Sequence, residues 1–203
     1  MKNKFSMLKR RADDGLSYHA WFEAGLSVDG RFIILQSEDS EGGIDIPMSL
    51  HFIKCMTILE NRNENEPICV VLNSPGGDIH SSFAIYDRIK ESPCKVCVRG
   101  YGAIMSGASV IMQAASLRQM TPNSYMMIHD GSVMLDNDMN KAKKWIKAYE
   151  NMGDQMYDMY YESARKKNKK ITKDQITQMC KEETILSAKN ALELGLIDQI
   201  YIG

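Results

Sequence analysis

The sequence predicts an α/β fold in which βαβ units repeat around a parallel sheet. Residues 68–72 (ICVVL) form an unbroken apolar run, the pattern of a strand buried on both faces. Amphipathic helical stretches alternate with further strand-like runs, the order that right-handed parallel crossovers need. A helical stretch over 138–168 is too long for the depth of a domain of 203 residues, so part of it is expected to project. Residues 1–20 are polar and basic without a clear period and are expected as a flexible N-terminal segment; 21–203 are expected as one domain.

Taken in order, residues 31–35 (RFIIL) predict a first strand, and the acidic, Gly-containing stretch 37–43 a loop. Residues 47–61 predict a helix, with Phe52, Cys55, Met56 and Leu59 at helical spacing. After the buried strand at 68–72, NSPGG (73–77) turns the chain. A helix follows, with Ile79, Phe83, Tyr86 and Ile89 on one face. Residues 95–99 predict the next strand, 100–102 a tight turn, 105–115 a small-residue helix and 125–129 another strand. In the long helix Ala142, Trp145, Tyr149, Met152, Met156 and Met159 share one stripe, which calls for a partner surface. The basic run Arg165, Lys166, Lys167, Lys169, Lys170 suits the negative end of that helix and reads as a solvated turn. Residues 187–195 predict a short helix stopped by Gly195, and 199–202 a closing strand.

A formal net charge of −1 gives no pull on nucleic acid or anionic membranes. No apolar run spans a bilayer and no secretory h-region leads the chain, which places the protein in the cytoplasm. Five cysteines, an odd number, argue against a disulfide framework. Cys94 and Cys97 make a C-x-x-C, but no second pair completes a metal site, so they are expected as buried thiols; no metal or cofactor is expected.

Chemistry concentrates in three places. In 73–77, Pro75 fixes φ, and Gly76 and Gly77 permit close backbone approach, so bare amides can face an anion. Ser106 opens a helix after a strand, where free amides favour a developing oxyanion; Ser109 competes by residue type but lies deeper in the helix. The G-x-S-x-G elbow of α/β-hydrolases is absent. His129 ends a strand that converges on the same sheet edge, and Glu183, with Glu182 adjacent, is available to orient an imidazole.

Together, NSPGG (73–77), AIYD (84–87), the segment 102–108, PNS (122–124), MIH (127–129), LSA (186–188) and GLID (195–198) resemble the ClpP family, the proteolytic subunits of Clp protease within the ClpP/crotonase superfamily. The resemblance covers about 68–202. It implies a serine endopeptidase with Ser106 as nucleophile, His129 as base and Glu183 at the family's aspartate position. It also implies an oxyanion hole from Gly77 and Gly107, and Ser74, Pro75, Gly76 and Asp130 against the substrate. The long helix becomes the handle through which rings stack. A homo-oligomeric ring of seven, single or paired, a polypeptide substrate and an AAA+ unfoldase partner follow by the same resemblance. Gly107 stands where the family usually has methionine, and His129-Asp130-Gly131 where it has His-Gln-Pro. Phage-type capsid-maturation proteases share this degree of divergence. The rival readings are a catalytically inactive ring subunit, a crotonase-type acyl-CoA enzyme and a Ser–Lys peptidase.

Overall fold

A computed structural model describes residues 25–36, 43–132 and 138–203. The N-terminal segment predicted at 1–20, and most of the loop predicted at 37–43, lie outside the described residues.

Eight strands form one sheet: β1 (Leu26–Ser27), β2 (Phe32–Gln36), β3 (Ile68–Ser74), β4 (Val96–Met105), β5 (Leu117–Met120), β6 (Tyr125–Ile128), β7 (Thr184–Ser187) and β8 (Gln199–Ile200). The described helices are α1 (Ile46–Arg62), α2 (Ile79–Lys90), α3 (Gly107–Gln113), α4 (Met139–Ala164), α5 (Lys173–Lys181) and α6 (Ala188–Leu194). The path β1-β2-β3-β4-β5-β8 is parallel from β2 onward, and α1 and α2 cross between successive parallel strands. Two pairings are antiparallel, β1 with β2 and β6 with β7.

Strand β3 supplies the central core: Ile68, Val70 and Leu72 are fully buried, as an apolar run in mid-sheet requires. Phe52, Met56 and Leu59 of α1, and Ile85 of α2, close over it. Side-chain caps start several helices: Asp45 accepts from Met48 N–H, Asp78 from Ser81 N–H, and Thr172 and Gln175 form a capping box.

The turn expected at 100–102 is instead the middle of β4. That strand pairs with β5 through Cys97–Gly100 and then with β6 through Ala103–Met105. Between the two halves Gly102 takes φ +58°, and the register against β3 shifts between Leu72 and Ser74. This is a bulge, which bends the strand without ending it. Asn73 fixes it: its Oδ1 accepts from Ala103 N–H at 3.1 Å.

Helix α4 has two unlike halves. Its C-terminal part is core, with Met156, Tyr157, Tyr160 and Ala164 buried. Its N-terminal part stands out from the sheet, exposing Met139 (75%), Trp145 (45%) and Ile146 (48%). Of the basic run after it, Lys167 donates to the carbonyls of Ile197 and Asp198, so that part of the turn is tied down as well as solvated. Among the described residues no helix is long and apolar enough to cross a membrane.

Candidate active site

Strand β4 delivers the chain to Ser106, and α3 leaves from it. At that junction Ser106 has φ 53° and ψ −124°, a sparsely populated conformation that costs about 1–3 kcal/mol. The surroundings enforce it. Ser106 N–H donates to Met127 O at 2.9 Å, and Ser106 O accepts from Ser109 and Val110 N–H. The sharp strand-to-helix turn of an elbow is thus present without its G-x-S-x-G sequence. A serine at an N-cap ordinarily accepts from the helix's first amides. Ser106 makes no such bond, and its Oγ lies 2.8 Å from His129 Nε2.

The glycines are sterically required. A Cβ on Gly76 would meet Ser106 Cβ at 2.6 Å and Met105 O at 2.7 Å. One on Gly107 would meet Ser82 Oγ of α2 at 2.2 Å, which explains why no larger residue stands there. The 73–77 loop is braced from its far side: Ile44 N–H donates to Gly76 O and Ile44 O accepts from Asp78 N–H, both at 2.7 Å. Gly77 N and Gly107 N have no acceptor among the described residues. They lie close together, Gly77 N being 3.7 Å from where a Cβ of Gly107 would sit.

His129 follows β6, and strand pairing settles what faces it. The antiparallel register runs Tyr125↔Ser187, Met126↔Leu186, Met127↔Ile185 and Ile128↔Thr184, so the next pair is His129 with Glu183. Glu183 takes φ 51° at the exit of α5, and its Oε2 lies 3.4 Å from His129 Nδ1. That is longer than a well-formed N–H···O bond, and the Glu183 side chain is 62% exposed. Glu182, the adjacent alternative, accepts from Gln178 Nε2 instead. A hydroxyl, an imidazole acceptor and two unfilled amide donors side by side can move a proton and hold an anion formed beside it.

Other candidates fall away from this centre. Ser109 is fully buried, its hydroxyl held among Ser106 O, Met127 O and Tyr160 Oη, so it is no competing nucleophile. Ser74 is 1% exposed and its Oγ accepts from Gly76 N–H. Its side chain therefore shapes the loop. Pro75 is exposed on the loop. Asp130 is exposed but tethered: Tyr157 Oη of α4 donates to its Oδ1 at 2.5 Å. Burial and the Asp130 carboxylate push the Tyr157 phenol well up, which keeps it a donor. Tyr157, Ser82 and Ile44 carry no local sequence signal for a place at this site. Among the described residues no group of three His, Cys, Asp or Glu is placed to hold a metal ion. Cys94 and Cys97 are buried thiols with separate partners, Asn63 O and Gln119 Oε1.

Compared with known proteins, residues 29–202 match the Clp protease family. The ATP-dependent Clp protease proteolytic subunit 2 of Treponema denticola is 29% identical over 78% of this chain and 78% of its own. Proteolytic subunit 1 of Chlamydia abortus is 31% identical over 73% of this chain and 77% of its own. Among solved structures, a mutant ClpP1 from Listeria monocytogenes superposes with a TM-score of 0.75 at 23% identity, over 87% of this chain and 94% of that one.

Proposed function

The chain belongs to the Clp protease family, and from that premise we propose that it is a serine endopeptidase working through an acyl-enzyme. The observation that carries the reading is the 2.8 Å contact of Ser106 Oγ with His129 Nε2 beside the amides of Gly77 and Gly107. His129 takes the Ser106 proton as Oγ attacks the scissile carbonyl carbon. The Gly77 and Gly107 N–H groups receive the oxyanion. His129 then gives the proton to the leaving amine, and water hydrolyses the remaining ester by the reverse roles. Glu183 orients His129 and stabilises its protonated form. An extended polypeptide would add by main-chain hydrogen bonds along the edge of the 73–77 loop that Ile44 leaves free. Asp130 borders that path.

The working form in this reading is a cytoplasmic homo-oligomeric ring. The projecting half of α4, with Met139, Trp145 and Ile146 exposed, supports it, because such a stripe is stabilised by a partner. The name of the Treponema denticola relative includes ATP dependence, and an ATP-driven unfoldase partner is the corresponding expectation.

One observation favours a second reading, a ring subunit without activity: Glu183 touches His129 only at 3.4 Å and from an exposed position. A fluorophosphonate probe on the assembled protein separates the two. A mass adduct at Ser106, lost in Ser106→Ala and in His129→Ala, supports the peptidase. An unlabelled wild type overturns it in favour of the silent subunit. Thioester turnover surviving Ser106→Ala would point instead to acyl-CoA chemistry.

A further inference from the structure

Strands β3 and β4 carry two cysteines side by side. Cys69 and Cys97 are Cα partners in the parallel register, next to the pair Val70↔Val98. Neighbouring strands run about 4.8 Å apart, and a disulfide needs Cα atoms roughly 4.4–6.8 Å apart, so the backbone already holds the pair within bonding reach. Side chains alternate across a strand, and Val70 and Val98 belong to the core cluster, so Cys69 and Cys97 share the opposite face of the sheet. Their thiols are hydrogen-bonded to each other.

The two sulfurs are not equivalent. Phe32 of β2, the partner of Cys69, and Leu117 of β5, the partner of Cys97, are only half-buried. Cys69 keeps 4% of its surface open and Cys97 none, so a reagent from solvent meets Cys69 first. The Cys97 thiol has one hydrogen and two acceptors, Cys69 Sγ and Gln119 Oε1 at 3.4 Å. Gln119 Oε1 also accepts from Arg99 Nε at 3.0 Å, so it keeps a donor when the thiol turns to Cys69. The bond from Cys97 holds the Cys69 thiol below its ordinary range; burial opposes this and the Arg99 guanidinium assists it. The same bond and burial push the Cys97 thiol up. Burial also raises the other three thiols, Cys94, Cys55 to about 11 and Cys180 to about 12. The thiolate is the reactive form of a cysteine, and here it is favoured at one of the five.

We propose that Cys69 and Cys97 are a peroxide-reactive dithiol, Cys69 attacking and Cys97 resolving, which closes into a disulfide between β3 and β4. The Cys69 thiolate attacks one oxygen of hydrogen peroxide, the O–O bond breaks and hydroxide leaves, giving the Cys69 sulfenic acid. The Cys97 sulfur then attacks the Cys69 sulfur. The S–S bond forms, the S–O bond breaks, and the departing hydroxide takes up the Cys97 proton as water. Two thiols lose two electrons, and one peroxide is reduced to two waters. Thiol–disulfide exchange with a small thiol reverses the bond, as a reducing compartment requires of a transient disulfide. The cross-link would join the strand that ends at the 73–77 loop to the strand that ends beside Ser106. It does not depend on the peptidase reading.

The test treats the folded full chain with hydrogen peroxide, blocks the remaining thiols with iodoacetamide and maps all five cysteines by mass spectrometry. A link between tryptic peptides 63–88 and 96–99 within one chain is expected, reversed by dithiothreitol. It should form at least about tenfold faster than any modification of Cys55, Cys94 or Cys180. In Cys97→Ser the reaction should stop at a Cys69 sulfenic acid that dimedone captures, and in Cys69→Ser residue Cys97 should stay reduced. Cooperative urea unfolding checks that both variants fold; if either does not, the comparison among the five wild-type cysteines decides alone. The proposal is overturned by a wild type that forms no such link, by five cysteines modified at similar rates, or by a link that joins two chains. Oxidation of Cys97 in Cys69→Ser as fast as in the wild type overturns it too.

Discussion

Gly107 and Ser82 interlock α3 with α2, and changing both should be less harmful than changing Gly107 alone. In Gly107→Ala the new Cβ would lie 2.2 Å from Ser82 Oγ and 3.1 Å from Ser82 Cβ. Ser82 cannot turn away freely, since it is fully buried and its Oγ donates to Asp78 O at 2.8 Å. One partner must shift by roughly 1 Å to reach ordinary contact, an overpacking cost of about 2–3 kcal/mol. The Gly107 amide moves with it, and a displacement of about 1 Å at a reacting centre costs roughly a hundredfold. Ser82→Gly alone should cost about 1 kcal/mol from helix propensity. With both changes the clash is gone, so the double variant should be about 2–3 kcal/mol more stable than the two single costs summed. Urea unfolding supplies the stabilities and fluorophosphonate labelling of Ser106 the reactivity. Labelling in the double variant should recover by at least about tenfold over Gly107→Ala. Strictly additive unfolding energies, or labelling that stays low in the double variant, would refute the steric account of why glycine occupies 107.

Further outcomes follow from the same geometry. Glu183→Gln should slow labelling by less than about tenfold, because an exposed 3.4 Å contact is screened by water, whereas His129→Ala should slow it by at least about a thousandfold. Asp198 is held below its ordinary value: burial opposes ionisation, but the side-chain and backbone bonds from Arg118 outweigh it. Because this folded pKa is depressed, its stabilising contribution is complete above the unfolded carboxylate range and lost as pH falls through the folded value. Unfolding measured from neutral to acidic pH should show that loss, and Asp198→Asn should remove it at a cost of about 3 kcal/mol near neutral pH. If the proposed ring forms through α4, Trp145→Glu with Ile146→Glu should lower the mass read by light scattering while leaving the unfolding midpoint of the chain nearly unchanged, since both side chains are exposed.

Where the sequence was legible, a strong period or an unbroken apolar run made it so. Residues 68–72 announce their burial directly, the stripe of α4 announces an apolar face of which Met156 alone is buried, and NSPGG announces a special backbone. The bend in β4 looks like a turn in the sequence because glycine marks both, and only the pairing of Ala103–Met105 with β6 separates them. Strand β5 is hidden in the sequence because Arg118 and Gln119 look like surface residues; the Asp198 carboxylate and the Gln199 amide fill their polar groups from far along the chain. Helix α5 carried a readable signal, the Thr172–Gln175 capping box, that its low hydrophobicity obscured. At the site, residue types suggested Ser106 and His129, but Glu183 had no local signal beyond its neighbourhood. Its place depends on β7, whose four residues are too few to show a period.

The pairing of β6 with β7 also fixes what a polypeptide would meet on its way to the imidazole in the proposed peptidase. Side chains alternate across a strand, so the face that carries His129 and Glu183 also carries Met127, Tyr125 and Ile185. Tyr125 and Ile185 stand 51% and 59% exposed there, while Met126, Ile128 and Leu186 point inward. The flank where the acid sits is therefore greasy, and in the proposed peptidase it would favour incoming chains with bulky apolar residues over charged ones. A slip of one residue between these strands would turn the whole flank inside out and carry Glu183 away from His129 in the same movement.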